Sequence, residues 1–253
     1  SGSSGMGAAH IYLGSSGWLG VTVPERCNGI GEAYSSLDNS KELLLYTMQS
    51  ACMTFDWAIR CFYKHEWEEN KNAVYTVVEQ ELAQIPAGSK GLIAAPWLHG
   101  ERLPFSEKAR AVFFNINADH DRSYFINAVQ EGVCFMLRGK LDAYRAETGR
   151  SIGMLRVAGG AAASNHWMQM LSDVLGVPIE VPENARHAGA IGSAYCALIG
   201  LGRCADFEQT NKTIHAERRF LPNKEHKAVY DKNYAVFKAL YPALRGSFEA
   251  INT

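Results

Sequence analysis

The sequence predicts an α/β fold in which a mixed sheet is flanked by helices, and three observations predict it. Two apolar runs, 10–13 and 18–23, flank the turn Gly14, Ser15, Ser16, Gly17, and a third run, 42–48 (ELLLYTM), follows. Together they read as three antiparallel strands. Residues 122–147 and 225–247 carry the period of amphipathic helices. Between them, residues 154–181 alternate strand, helix and strand, which implies a largely parallel arrangement there.

In chain order, residues 10–23 form a β-hairpin whose tip carries small hydroxyl residues. Residues 50–63 are helical, with Met53, Trp57 and Cys61 recurring at i, i+4 and i+8. The charged stretch 66–72 reads as a surface turn, and 73–84 as a second short helix closed by Pro86 and Gly88. Residues 92–95 are a short buried strand stopped by Pro96. Residues 97–120 are mostly irregular, with one strand at 111–116. Asp121 caps the helix of 122–147, which Gly149 ends. Its apolar face holds Phe125, Val129, Val133, Met136, Leu137, Leu141 and Tyr144. Strand 154–158, helix 165–175 and strand 178–181 follow. Helix 187–200 is lined with Ala and Gly, so it can pack close to a neighbour. Residues 203–224 read as a polar loop or extended arm before the final helix.

Hydrophobic residues make up 47% of the 253, enough for a packed core. Net charge is −1, from 25 basic and 26 acidic residues, which offers no electrostatic surface for nucleic acid. The cysteines at 27, 52, 61, 134, 196 and 204 show no CxxC pair and no zinc spacing. Cys134 and Cys196 fall in apolar helical runs, where a reduced buried thiol is expected. No apolar run reaches the roughly 18 residues of a membrane span, and no secretory segment is evident. A cytoplasmic location without membrane or nucleic-acid partners is the expectation. The opening Ser-Gly-Ser-Ser-Gly-Met reads either as a cloning scar before a start methionine or as a native loop.

Residues 155–176, LRVAGGAAASNHWMQMLSDVLG, carry the chemistry. A short strand meets Gly159 and Gly160, three alanines follow, and Ser164 is a natural N-cap for the next helix. A strand, a glycine turn and a helix start form a common cradle for a nucleotide, because glycine lets backbone approach a flat ligand. Taken alone, such a turn is mostly just a turn. The hairpin tip at Gly14, Ser15 and Ser16 can present N–H groups and hydroxyls to phosphate oxygens. Further segments follow in order: PWLHGERLPFSEKARAVFFNI at 96–116, RSYFINAVQEGVCFMLRGKLDAY at 122–144, and HAGAIGSAYCALIGLG at 187–202.

These segments, in this order, resemble the C-terminal domain of the FGGY carbohydrate kinases, and within them the xylulokinase-like branch. The resemblance covers roughly residues 9–202, after a tag or loop at 1–8. Residues 203–253 are expected to be an arm and helix packing on the same domain. The family fold is two ribonuclease-H-like (actin-like ATPase) domains with ATP and sugar in the cleft between them, and three antiparallel strands followed by helices suit such a start. The resemblance implies ATP with Mg²⁺, a sugar bound mainly through an N-terminal domain, and association as homodimers. It also implies that Gly14, Ser15 and Ser16 contact the phosphates. Ser15 stands where the family has threonine. Gly159, Gly160 and Ala161 would flank the adenine, with Ser164 as a small polar contact or an ordinary cap. Ala111 and Asn115 would lie on a strand passing beside the nucleotide, although the family usually carries glycine at the first position and often at the second.

The family's catalytic aspartate lies just upstream of the phosphate turn. Here thirteen residues precede Gly14, and none is acidic. The chain therefore looks like the ATP-binding half of an enzyme, inactive alone, with no catalytic residue of its own. Asp38, Asp56 and Asp173 do not sit at the matching place in the order. Glu101, Arg102, Arg110 and Glu131 read equally well as substrate contacts, interdomain locks or structural ion pairs. His99, His166 and His187 lie near the motifs, and the eight histidines form no HxxxH or HxH pair, so no metal ligand is assigned. A competing reading is a non-catalytic module that assembles with a separate N-terminal partner. Its interface would be the hairpin of 10–23 and the loop 97–105, exposing Trp18, Trp97 and Phe105. A ribonuclease-H-like nuclease needs clustered carboxylates on its first strands, and residues 10–24 contain none.

Overall fold

The structure, a computed structural model, describes residues 5, 7–25, 29–36, 40–102, 104–207 and 214–252. Cys27, Asp38 and most of the segment 1–8 lie outside the described residues. Among the described residues the strands are β1 (Ala9–Leu13), β2 (Gly17–Val23), β3 (Glu32–Ser35), β4 (Glu42–Met48), β5 (Ile93–Ala95), β6 (Val112–Phe114), β7 (Leu155–Gly159), β8 (Ile179–Pro182) and β9 (Ala216–Phe220). The helices are α1 (Cys52–Phe62), α2 (Lys64–Glu69), α3 (Ala73–Leu82), α4 (Arg122–Thr148), α5 (Asn165–Leu175), α6 (Ala188–Gly200) and α7 (Lys227–Ile251). A seven-stranded sheet runs β3-β4-β2-β1-β7-β8-β9, and β5 and β6 form a separate pair. The ladders β1–β2, β2–β4 and β3–β4 are antiparallel, β1–β7 and β7–β8 are parallel, and β8–β9 is antiparallel.

Strand alternation sends one set of side chains to a single face of this sheet. Ile11 pairs with Leu19 and with Val157, and Leu19 with Tyr46, so these residues stack across four strands. All four are buried. Against that face lies α4, buried along most of its length, capped by Asp121 accepting from Ser123 N and ended by Gly149 at φ +67. The helix approaches β5 so closely that a Cβ at Gly132 would meet the Ala94 carbonyl oxygen at 2.1 Å. A glycine in mid-helix costs helix propensity, and here the close crossing requires it. The final helix α7 lays Tyr230, Tyr234, Phe237 and Leu240 onto α4 and α5, with Phe237 against Phe135 and the fully buried Trp97.

Several sequence expectations need correction. The stretch 66–72 contains the end of helix α2, a surface helix with no buried residue, carrying the i,i+4 pairs Lys64–Glu68 and His65–Glu69. The arm at 203–224 contributes β9, whose polar pattern fits an edge strand. There Arg219 and Arg156 flank the buried Glu180 carboxylate. Trp97 is fully buried and so takes no part in an exposed aromatic face, whereas Trp18, stacked on Tyr12 at 4.5 Å, and Phe105 are half-buried. Cys134 is buried but Cys196 is exposed. The reason is α6, none of whose residues is buried, although its 13 residues carry no charge.

Candidate functional site

The two glycine turns lie side by side because the strands that lead into them are parallel neighbours. Leu13 pairs with Gly159, so the Gly14–Ser16 tip and the Gly159–Ala163 turn open from the same end of the sheet. Gly159 sits at φ +102 with its Cα against β1, and a Cβ there would meet the Leu13 carbonyl oxygen at 2.2 Å. No other residue adopts that conformation at that distance. Gly160 differs: it is exposed, and nothing lies within 4 Å of where its Cβ would be. Ala161 and Ala162 are buried beneath it. The first glycine holds the strands together, and the second leaves an open, low surface. The C-terminal ends of parallel strands are where α/β sheets bind ligands.

The start of α1 completes this end of the sheet. Ser15 O accepts from Ala51 N (2.9 Å) and Met53 N (3.2 Å), Gly14 O accepts from Cys52 N (3.0 Å), and Gly14 N donates to Ser16 O (2.9 Å). These backbone bonds turn the carbonyls of the tip toward α1. Ser15 itself is exposed and Ser16 half-buried. The Cys52 thiol donates to Leu13 O at 3.7 Å, and burial pushes its pKa up to about 12, which makes it a packing group rather than a nucleophile.

Behind the second turn lies a polar network. Ser164 Oγ caps α5 by accepting from Trp167 N (2.9 Å) and donates to Glu79 Oε2 (2.6 Å), whose other oxygen accepts from His166 N (2.9 Å). The hydroxyl is thus committed on both sides to the cap. His166 Nε2 meets Asn127 Oδ1 at 2.7 Å, and burial lowers the pKa of this imidazole. Asn127 Nδ2 donates to Ser89 Oγ and to Glu131 Oε1, which also accepts from Gly88 N at 2.7 Å. Glu131 is 1% exposed, and its Oε2 has no hydrogen-bond partner among the described residues. Burial pushes its carboxyl up to about 8, against the opposing pull of the Gly88 and Ser89 hydrogen bonds. Glu131 therefore faces neither solvent nor a basic neighbour: burial favours its neutral form, and it anchors the turn from Gly88 to Gly91, whose φ values run +84, +47, +49 and +85. Asn115, itself at φ +66, donates to Gly91 O at 3.1 Å and braces that turn from outside. Asparagine is among the residues that best tolerate this conformation in place of glycine. Ala111 is half-buried immediately before β6, which pairs with β5.

The Gly100–Arg102 stretch clamps the end of β4. Glu101 Oε1 accepts from Gln49 N (2.7 Å) and Arg102 N (2.8 Å), while Arg102 lies outside, reaching Gln49 Oε1 and Thr47 Oγ1. Arg110 Nη1 donates to the Glu107 and Ala109 carbonyls. Asp56 accepts from Tyr75, and Asp173 is held by His226, Gln169 and Asn223. His99 and His187 are exposed. Two participants escaped sequence reasoning: the α1 start at 51–53, and Arg218 on β9, which donates to Ala162 O and Asn165 Oδ1. Among the described residues no group of three or more His, Cys, Asp and Glu could hold a metal ion, and no helix is long and apolar enough to cross a membrane.

A mixed sheet whose adjacent parallel strands end in two glycine turns, one rimmed with hydroxyls and one left open beside Gly160, defines an α/β domain with both turns at one end of its sheet. Residues 9–201 match the FGGY family of carbohydrate kinases, C-terminal domain, and the chain belongs to that family. It is 32% identical over 170 residues to an L-xylulose/3-keto-L-gulonate kinase of Escherichia coli (strain K12), covering 67% of this chain and 33% of that one. It is 28% identical over 209 residues to a xylulose kinase of Bacillus subtilis (strain 168), covering 81% of this chain and 40% of the relative. The crystal structure of xylulose kinase from Rhodospirillum rubrum superposes with a TM-score of 0.85 at 22% identity, over 98% of this chain and 49% of that one. The fold is the ribonuclease-H-like, actin-like ATPase fold of the sugar kinases. The chain spans between a third and a half of the length of these relatives.

Proposed function

We propose that this chain is the ATP-binding half of a sugar kinase that phosphorylates a hydroxyl of a pentulose such as xylulose. The observation that carries the reading is the Leu13–Gly159 register, which puts the hydroxyl-bearing tip and the open Gly160 surface at one end of the sheet. Ser15 and Ser16, with the N–H groups of the tip, would bind the β- or γ-phosphate. Fixed donors there stabilise charge that spreads over the equatorial oxygens as the phosphoryl group leaves. Gly160 and Ala161 would lie against the adenine. Magnesium would come with the nucleotide, held by its phosphates and by carboxylates of the other half of the enzyme. The acceptor hydroxyl would be deprotonated by an aspartate from the other half of the enzyme.

On this reading the isolated chain binds nucleotide weakly and transfers no phosphoryl group. Calorimetric titration with Mg-ATP and with ADP, repeated on Gly160→Trp, tests it. Gly160 is exposed with nothing within 4 Å of an added Cβ, so a side chain there starts into open space rather than the core, and binding lost in that variant assigns the cradle. Sugar-dependent ADP release by the purified chain would contradict the claim of inactivity. A second reading, an interaction module that assembles with a separate N-terminal half, is favoured by α6: an uncharged helix with no buried residue is a surface suited to another protein.

A further inference from the structure

The hydroxyl tip at Gly14–Ser16 is held from below by the segment that joins β4 to α1, and that segment is held in turn by Glu101. Two bonds anchor the Ser15 carbonyl, from Ala51 N and Met53 N. Two residues before Ala51, the Gln49 N–H points to Glu101 Oε1 at 2.7 Å, and the same oxygen accepts from Arg102 N at 2.8 Å. The carboxylate itself cannot drift. Its side chain is buried, at 4% exposed. Its own N–H donates to Ser106 O, and the preceding Gly100, at φ +76, packs against residue 107 so closely that a Cβ would stand 2.2 Å from the Glu107 carbonyl oxygen.

We propose that Glu101 is a positioning residue for phosphate binding: by fixing Gln49 it fixes the 49–53 backbone, and through the Ser15 carbonyl it sets the direction in which Ser15 and Ser16 face. The inference rests on the nucleotide reading above for its ligand, but its mechanical part does not. It also explains why an acid sits in the Gly-Glu-Arg stretch without touching the open surface. Only a side chain with an acceptor oxygen at that reach can receive two N–H groups at once.

The test compares the chain with Glu101→Ala, Glu101→Asp and Glu101→Gln by hydrogen–deuterium exchange and by titration with Mg-ADP. In the alanine and aspartate variants, amides at 49–53 should exchange about tenfold faster or more, as loss of the acceptor oxygen for both N–H groups implies, while peptides from the centre of α4 keep wild-type protection. Mg-ADP affinity should fall about tenfold in both. Glu101→Gln should behave as wild type in both measurements, because its amide oxygen accepts the same two N–H groups. If the alanine variant does not fold, the aspartate variant decides, since it keeps polarity and only withdraws the oxygen. Protection at 49–53 within about twofold of wild type in the aspartate variant, or a glutamine variant as impaired as aspartate, overturns the proposal. If the wild-type chain binds no Mg-ADP, the nucleotide reading fails, while the exchange result still decides whether Glu101 positions the tip.

Discussion

Replacing Glu131 by glutamine should change how stability depends on pH, and the structure supplies both sign and size. The carboxyl is buried in α4, its Oε1 takes the Gly88 and Asn127 donors, and burial raises its pKa to about 8. An unfolded glutamate titrates near 4.3. Between these values the folded chain holds a proton that the unfolded chain has released, so stability falls as pH rises through this window and is greatest below it. Each pH unit costs about 1.4 kcal/mol, which accumulates to about 3 kcal/mol between pH 5 and pH 7. That is a large share of the roughly 5–15 kcal/mol that holds a domain together. Glutamine keeps the acceptor oxygen for Gly88 N and cannot ionise, so this contribution vanishes. Urea denaturation followed by circular dichroism, at half-unit steps from pH 5 to pH 8, would measure it. Glu131→Gln should gain on wild type steadily across the range, by about 3 kcal/mol at pH 7 relative to pH 5. Curves that stay parallel would mean that Glu131 is ionised in the folded chain, and the account of the Gly88–Gly91 anchor as a neutral acid would be wrong.

Gly159→Ala forces a Cβ onto the Leu13 carbonyl and should lower stability by well over 1 kcal/mol, seen as a reduced melting temperature, whereas Gly160→Ala should stay within about 0.5 kcal/mol of wild type. Gly132→Ala should cost at least about 1–3 kcal/mol by pushing α4 off β5, and a melting temperature equal to wild type would refute the close crossing. In the native chain a thiol reagent should modify Cys61 and Cys196 readily and spare Cys52 and Cys134, which peptide mapping by mass spectrometry would reveal. Leu198→Glu together with Leu201→Glu should leave the melting temperature unchanged, because neither position is buried, and a marked drop would show that α6 already packs on this chain.

Much of this architecture was legible because local signals agreed with one another. The Gly14–Gly17 turn, the ELLLYTM strand, the cap at Asp121 and the stop at Gly149 each stand where periodicity and turn chemistry put them. The alternation at 154–181 correctly implied parallel neighbours. What stayed hidden depends on contacts distant in sequence. Nothing local marks Ala216–Phe220 as a strand, since its Glu-Arg-Arg core reads as loop and only the pairing with β8 makes it extended. The short helix Lys64–Glu69 has no apolar stripe to reveal it. The burial of Trp97 is set by α7, more than a hundred residues away, and so could not be read from the Pro-Trp-Leu stretch. In the candidate site, the glycines were found from their type and order. The roles of Glu101 and Glu131 were not, because an acid in a loop or helix looks solvated until the backbone N–H groups that meet it are placed.

The two margins of the large sheet bear on how such a chain behaves at high concentration. β3 is four residues long and mostly exposed, with Glu32 at its start, and β9 presents Glu217, Arg218 and Arg219 along the other rim. Brevity and charge are what keep a free strand edge from recruiting another chain into a continuous ribbon. A molecule protected in this way resists growth by strand addition even where its helical surface is sticky. Crowding would then drive it toward discrete, reversible contacts between faces, and away from fibrils.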